Sequence, residues 1–586
     1  MNEMPNSPEA WLQSFSSMMQ AGVSDQDESA GSSAAFGFSP DKILKQIADL
    51  SKNNTQSLFA EQSAIMQQQV ALWQSTSTAL ANKTRLPVLI EEEASDRRFR
   101  DAQWNENPLY SYIKQSYLLN SKLLQNLVDN LQYEDEDDAM KASFMVRQYL
   151  NAIAPTNNAL TNPEVQALTL KTQGKNLVDG MENFTRDAQR SPPEILKVTQ
   201  CLPNAFKLGE NIATTPGKVI YQNEVMQLIQ YTPTTEKVYS VPVLIIPPFI
   251  NKYYILDLSE NNSYVRWLVG EGFTVFMVSW VNPDSSLAGV GFEDYVLKGV
   301  VEAADVVSSV CRTKRINAVG YCSGGTMLSV AQALLRARDD KRFVSCTLIA
   351  TQTDFSDPGG LGVYLSDKLI PFLEQHTNMK GIFDGRALAT GFNLLRENSL
   401  YWSYFVDNYL KGKQPKAFDI LHWNGDSANI PAKTMSFYLR KMYMENSLAE
   451  PDALTIDGEN IDVSKIDTPS YFVAMVGDHI VPCTASFRSS QYFGGSVRFV
   501  LGESGHIAGV VNPVAEGKYN HWVNDKPSPD FETWKKSAAE VEGSWWTDWV
   551  AWLAPMAGKE IAARKIGNTK YKPIEDAPGS YVKVCI

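Results

Sequence analysis

The spacing of hydrophobic positions changes once along this chain, near Pro203. Upstream of it, apolar residues recur at helical intervals. From Asp41 to Asn82 there is no Gly or Pro, and Ile43, Ile47, Leu50, Leu58, Ile65, Val70 and Leu72 form a loose helical stripe. Its other face is rich in Gln and Ser. That fits either a solvated helix packed on its own domain or an amphipathic surface for a partner or an apolar particle. The spacing predicts further helices over 110–131, 138–152 and 162–173, the last with Pro163 in its first turn. Residues 1–40 are polar and end in a Ser/Ala/Gly/Asp-rich stretch, which predicts a disordered tail. No internal repeat is present.

Downstream of Pro203 the runs shorten. Strands are predicted at 218–221, 226–231, 241–247, 274–279, 317–320, 344–350, 470–476 and 498–501. Runs such as VLII and VFMV are almost continuously apolar, as in strands covered on both faces. Helical stretches at 264–271, 292–310, 327–337 and 485–492 alternate with them. This rhythm predicts an α/β fold with a mostly parallel sheet. The interval of about 352–467 is aromatic-rich and strand-poor, and reads as an inserted cap. The expected organisation is a tail (1–40), a helical N-terminal domain (41–203) and an α/β catalytic domain (204–586) carrying that cap.

Composition narrows the function. With 53 basic and 66 acidic residues among 586, the net charge is −13, which does not support a dominant nucleic-acid surface. No apolar run is long enough for a transmembrane helix, and the N-terminus lacks the basic and apolar regions of a secretory signal. The six cysteines are scattered without CxxC pairs, so a structural zinc site or disulfide framework is not expected and a reducing cytosol fits. Only five histidines are present, which restricts the candidates for a catalytic base.

The most informative segment is Gly320-Tyr321-Cys322-Ser323-Gly324-Gly325, between a predicted strand and a predicted helix. This is the setting of a nucleophile elbow, with cysteine where hydrolases usually carry serine. A helix N-terminus at the sulfur favours its anionic form. The Ser323 N–H is one candidate oxyanion donor. A buried structural cysteine in a Gly-rich turn would explain the motif alone, but the strand–turn–helix context favours the nucleophile. The hydrolase order then calls for an acid and a later histidine, each following a strand. Asp478 and His506 fill those places, and His506 is the expected general base. His479 is a rival base and Asp354 a rival acid; His521 reads as a structural residue in a polar loop, and His376 and His422 fall in the cap. The second oxyanion donor belongs to the loop after the 241–247 strand, with the N–H of Ile250 preferred over that of Phe249.

Beyond the elbow, long segments resemble the polyhydroxyalkanoate synthases, the poly(3-hydroxyalkanoate) polymerases. They include SDRRFRDAQWNENPLYSYIKQSYLL (95–119), PPFINKYYILDL (247–258), VSWVNPD (278–284), GYCSGG (320–325), RENSLYWSYFVDNYLKG (396–412), LHWNGD (421–426), GDHIVP (477–482), ESGHIAGVVNP (503–513), GSWW (543–546) and APGSYVKV (577–584). The large N-terminal region is similar to that of the class I, single-subunit enzymes. The resemblance implies an α/β-hydrolase fold with an inserted cap, preceded by an all-helical N-terminal domain. It implies an acyltransferase that joins (R)-3-hydroxyacyl-CoA into polyester and releases CoA through an acyl-cysteine, with Cys322, His506 and Asp478 as its triad. No organic cofactor or metal is implied, since CoA arrives as part of the substrate. Expected partners are the growing polyester and its granule surface, a second copy of the chain and granule coat proteins (phasins), in the cytoplasm. A cysteine hydrolase or thioesterase on the same fold, and a non-catalytic granule scaffold, are the alternatives.

Overall fold

A computed structural model describes residues 55–586, except 132, 134, 135, 192–195 and 368. The expected tail (1–40) and the start of the Gln-rich segment (41–54) lie outside the described residues. The chain forms two compact bodies.

The first body joins the described residues up to Thr199 with Gly362–Leu373 and Arg396–Pro415. Its main helices are α1 (Thr55–Asn82), α2 (Pro108–Asp129), α3 (Glu136–Ala152), α4 (Pro163–Thr172) and α5 (Lys175–Arg190). Local chemistry sets two of the starts. Asn107 caps α2 by accepting from the Leu109 N–H, and Asn162 caps α4 by accepting from those of Glu164 and Val165; a proline opens each helix. Leu72, Ala79, Leu86 and Leu119 form one small core, and Val128, Ala142, Val146 and Leu150 another. The long insertions are bound by polar contacts: Glu397 accepts from Arg147 Nε at 3.0 Å and from Asn151 Nδ2 at 2.6 Å.

The second body contains Gln200–Leu361, Glu374–Leu395 and Lys416–Ile586. The interval read as one cap, 352–467, is therefore divided, because two of its stretches pack with the N-terminal helices. The sheet of this body is built, in chain order, from β1 (Gly217–Gln222), β2 (Met226–Tyr231), β3 (Val243–Ile246), β4 (Val275–Trp280), β5 (Ile316–Tyr321), β6 (Phe343–Ile349), β7 (Ser470–Met475), β8 (Val497–Gly502), β9 (His521–Val523), β10 (Ala539–Val541) and β11 (Glu575–Asp576). Their order across the sheet is β10-β9-β8-β7-β6-β5-β3-β4-β2-β1-β11. The six from β8 to β4 are mutually parallel, and antiparallel strands flank them on both sides. β3, β4, β5 and β7 are buried along their whole length. Two apolar cores cover the two faces, one containing Leu244, Val278 and Ala318, the other Ile245, Met277 and Val319. Alternate residues of one strand thus feed opposite cores, which is why these strands read as continuous apolar runs. The second core includes Trp545, Trp546 and Trp549 of the C-terminal helix Trp545–Leu553, all buried.

This topology brings the loops after β3, β5, β6, β7 and β8 to the carboxyl edge of one parallel sheet, where ligands of open α/β folds bind.

Candidate active site

β5 runs into Cys322, and helix α6 (Ser323–Ala337) runs out. Cys322 has φ 51° and ψ −125°, a conformation that L-residues adopt only under constraint. Its backbone supplies the constraint. The Cys322 N–H donates to Ile349 O at 2.9 Å, and its carbonyl accepts from the N–H groups of Gly325 and Thr326 at 2.8 and 3.2 Å. Thr351 Oγ1 also lies within donating distance of that carbonyl, at 3.1 Å. The glycines make room for the turn. A Cβ on Gly320 would sit 2.4 Å from Gly325 Cα, one on Gly324 2.2 Å from Ile246 O, and one on Gly325 2.1 Å from Thr351 Oγ1.

β7 and β8 are neighbours, so the residues following them meet. The Gly477 N–H donates to Ser504 O at 2.7 Å, tying the two loops together. Asp478 Oδ2 lies 2.6 Å from His506 Nδ1. Its other oxygen accepts from the N–H groups of Ile480 and Val481, both at 2.9 Å. The carboxylate is thus held in place from one side and presented to the imidazole from the other. Cys322 is near enough to His506 to act on its charge. Burial disfavours the imidazolium, but the neighbouring Asp478 and Cys322 outweigh it and push the His506 pKa up to about 10. Tyr321 supports the ring: its face lies 5.5 Å from the imidazole, and its hydroxyl donates to His506 O at 2.9 Å.

The rival residues have contacts of their own. Asp354 accepts from the Ser356 N–H and from Asn446 Nδ2, both at 2.9 Å, and pairs with Arg488 at 3.3 Å. Burial alone would raise its carboxyl, and these partners hold it below the usual range. His479 shares the Asp478 loop, where its carbonyl accepts from the Gly360 N–H at 2.8 Å. His521 stands in β9 rather than in a polar loop, and its Nδ1 lies 2.8 Å from Gly543 O. His422 is half-buried against Phe206, and His376 is exposed.

The loop after β3 lies directly against the elbow. The Phe249 N–H donates to Ser323 Oγ at 3.3 Å, which commits one of the two donors considered. The N–H groups of Ile250 and Ser323 have no hydrogen-bond partner among the described residues. Aromatic side chains cluster near the elbow. Tyr438 and Tyr443 both lie close enough to feel a charge on Cys322, and burial pushes both phenols up. Phe249 stands edge-on to Tyr438 at 5.4 Å, and Phe355 to Tyr443 at 4.9 Å. Tyr438 comes from the aromatic-rich interval of 352–467, as do Trp402, Tyr404 and Trp423. Trp423 is buried with its Nε1 donating to Lys252 O at 2.7 Å, and Trp402 and Tyr404 belong to the first body. The supporting roles of Thr351 and Tyr321 carry no signal in the sequence beyond their places at strand ends.

Among the described residues no group of three or more His, Cys, Asp or Glu side chains is placed to hold a metal ion, and no helix is long and apolar enough to cross a membrane.

Comparison with known proteins agrees along most of the chain. Residues 95–268 match the family model for the N-terminus of poly-beta-hydroxybutyrate polymerase (PhaC), and residues 251–513 match that for the alpha/beta hydrolase fold. The poly(3-hydroxyalkanoate) polymerase subunit PhaC of Rhizobium meliloti is 40% identical over 93% of this chain and 88% of its own length. That of Cupriavidus necator is 41% identical over 88% of this chain and 86% of its own. The poly(3-hydroxyalkanoate) polymerase of Methylorubrum extorquens is 39% identical, covering 93% and 89% respectively. At that identity and coverage, the chain belongs to the poly(3-hydroxyalkanoate) polymerase family.

Proposed function

We propose that this protein polymerises (R)-3-hydroxyacyl-CoA into polyester with release of CoA, through an acyl group carried on Cys322. The observation that carries this reading is the contact of His506 with Asp478 beside Cys322, at a strained elbow in a member of this polymerase family.

His506 Nε2 takes the proton of Cys322 while Nδ1 stays bound to Asp478. The sulfur attacks the thioester carbonyl, and the N–H groups of Ser323 and Ile250 receive the oxyanion. The bond from the carbonyl carbon to the CoA sulfur breaks. The proton on His506 passes to that sulfur, and free CoA leaves. An incoming 3-hydroxyl then gives its proton to His506 Nε2, and its oxygen attacks the acyl-Cys322 carbonyl. The bond to Cys322 breaks, the sulfur regains the proton, and an ester remains. The first step exchanges one thioester for another at little cost in free energy, and the second, thioester to ester, is downhill.

Water is the competing acceptor. The aromatic cluster of Phe249, Phe355, Tyr438 and Tyr443, two of whose phenols feel Cys322, supports a site that excludes it. No cofactor or metal enters this scheme. On the same reading the enzyme acts in the cytoplasm at the granule surface, as a homodimer and beside coat proteins; the exposed Met66, Val70 and Trp73 of α1 suit an apolar contact of that kind.

The test is a product balance. Purified protein receives (R)-3-hydroxybutyryl-CoA, and released CoA is compared with sedimentable polyester and with free 3-hydroxybutyrate. CoA matched by polyester is expected. CoA matched by free acid would make the protein a hydrolase.

A further inference from the structure

The loop that carries Ile250 is fastened at four points. Pro247 O accepts from Trp280 Nε1 at 2.9 Å, and the Phe249 N–H donates to Ser323 Oγ at 3.3 Å. Asn251 forms an antiparallel bridge with Ser427. Lys252 O accepts from Trp423 Nε1, and Lys252 Nζ pairs with Asp426 Oδ1 at 2.6 Å. The first two anchors belong to the sheet and the elbow. The last two come from residues 423–427, which lie more than 170 positions away in sequence. Ile250 sits between the two sets.

The Lys252–Asp426 pair is unusual for its burial: the two side chains are 4% and 11% exposed. The second oxygen of Asp426 accepts from the Tyr254 hydroxyl at 2.8 Å. Charges so placed give up hydration, and apolar residues of like volume often serve stability as well or better. What a paired, hydrogen-bonded charge adds is a fixed register between two segments. Here the segments are the oxyanion loop and the stretch that follows the helix Asp419–Gly425.

We propose that Asp426, through Lys252 and Tyr254, is a positioning residue for acyl transfer: the buried network holds the oxyanion loop so that the Ile250 N–H points at the developing oxyanion over Cys322. This rests on the reading of Cys322 as the acyl carrier and Ile250 as a donor. It adds that the segment 423–427 controls the oxyanion site, so that displacing this segment disarms the site without touching the thiol.

Two reactions of the same sulfur separate this role from general support of the fold. Alkylation by iodoacetamide needs the sulfur and His506 but forms no oxyanion. Acyl transfer from (R)-3-hydroxybutyryl-CoA forms one. Asp426→Asn is expected to lower kcat for CoA release roughly 10- to 100-fold, with KM within about threefold and the alkylation rate of Cys322 within about twofold. Tyr254→Phe, which removes one hydroxyl and leaves the ion pair, is expected to cost about three- to tenfold in kcat alone. Asp426→Glu should recover part of the loss. Ile250→Pro deletes the donor itself. If it leaves CoA release intact, the assignment of Ile250 fails and this inference falls with it. If Ile250→Pro is crippled while Asp426→Asn and Tyr254→Phe both stay within about twofold of the parent, the donor stands and the positioning role is overturned. Alkylation that falls in parallel with turnover in both variants would also overturn it, by making the network a support of the fold.

Discussion

Gly324→Ala is the substitution whose cost is easiest to work from the structure. A Cβ placed there lies 2.2 Å from Ile246 O and 2.5 Å from Pro247 O. An unstrained carbon–oxygen contact is about 3.3 Å, so the end of β3 must retreat by about 1 Å. Both obstacles are backbone atoms, so no side-chain rotation relieves the clash. Nor can the end of β3 retreat freely, because Ile246 pairs in register with Gly320 of β5. The displacement passes to the loop bearing Phe249 and Ile250. Overpacking of this kind costs about 1–3 kcal/mol of stability. A shift of about 1 Å at a group that must face the transition state costs on the order of 100-fold in rate. The assay is CoA release from (R)-3-hydroxybutyryl-CoA, with urea unfolding beside it. Gly270→Ala is the control: no atom lies within 4 Å of the place its Cβ would take, and it should leave both quantities unchanged. A Gly324→Ala enzyme within about twofold of parental turnover would refute the reasoning, because the loop would then have room that the structure denies it.

Two further outcomes follow from the His506–Asp478 contact. Asp478→Asn leaves the shape but removes the charge and the acceptor that fix the imidazole tautomer, and should lower kcat by about 10³- to 10⁴-fold; a loss below about tenfold would remove Asp478 from the relay. The raised pKa of His506 also enters stability. The folded state binds this proton up to about pH 10, whereas an unfolded imidazole releases it near about 6.5. The stabilisation is therefore complete below the lower value and is lost as pH rises through the upper one. Urea midpoints measured across that window should show wild-type protein losing its margin over His506→Gln, and a margin that grows with pH would contradict the assignment.

Much of the catalytic body is legible in the sequence because its chemistry is local. The strands of the central sheet are long apolar runs, and Cys322, Asp478 and His506 each follow one of them. The parts that are not legible depend on packing. β9, β10 and β11 have two or three residues each, too few for a period, and β10 is exposed throughout. α5, over which no helix is predicted, carries Gly180 in its middle. The glycine is there because a Cβ would lie 1.9 Å from Tyr409 O. The interval 352–467 reads as one insertion because composition does not reveal on which body a helix packs. At the site, the sequence offers both Phe249 and Ile250 as donors and carries no sign that the Ser323 hydroxyl engages the Phe249 N–H. The Lys252–Asp426 pair has no signal at all, since two charged residues so far apart in sequence are unremarkable until the fold buries them together.

Everything proposed for this site depends on the acyl chain being carried on Cys322. The most direct test is to quench the enzyme during turnover of (R)-3-hydroxybutyryl-CoA and map the covalent adduct by peptide mass spectrometry. A hydroxyacyl group on the peptide containing Cys322, absent from Cys322→Ala, which should also release no CoA, is the predicted result. An adduct on a different residue, or CoA release that persists in Cys322→Ala, would contradict it.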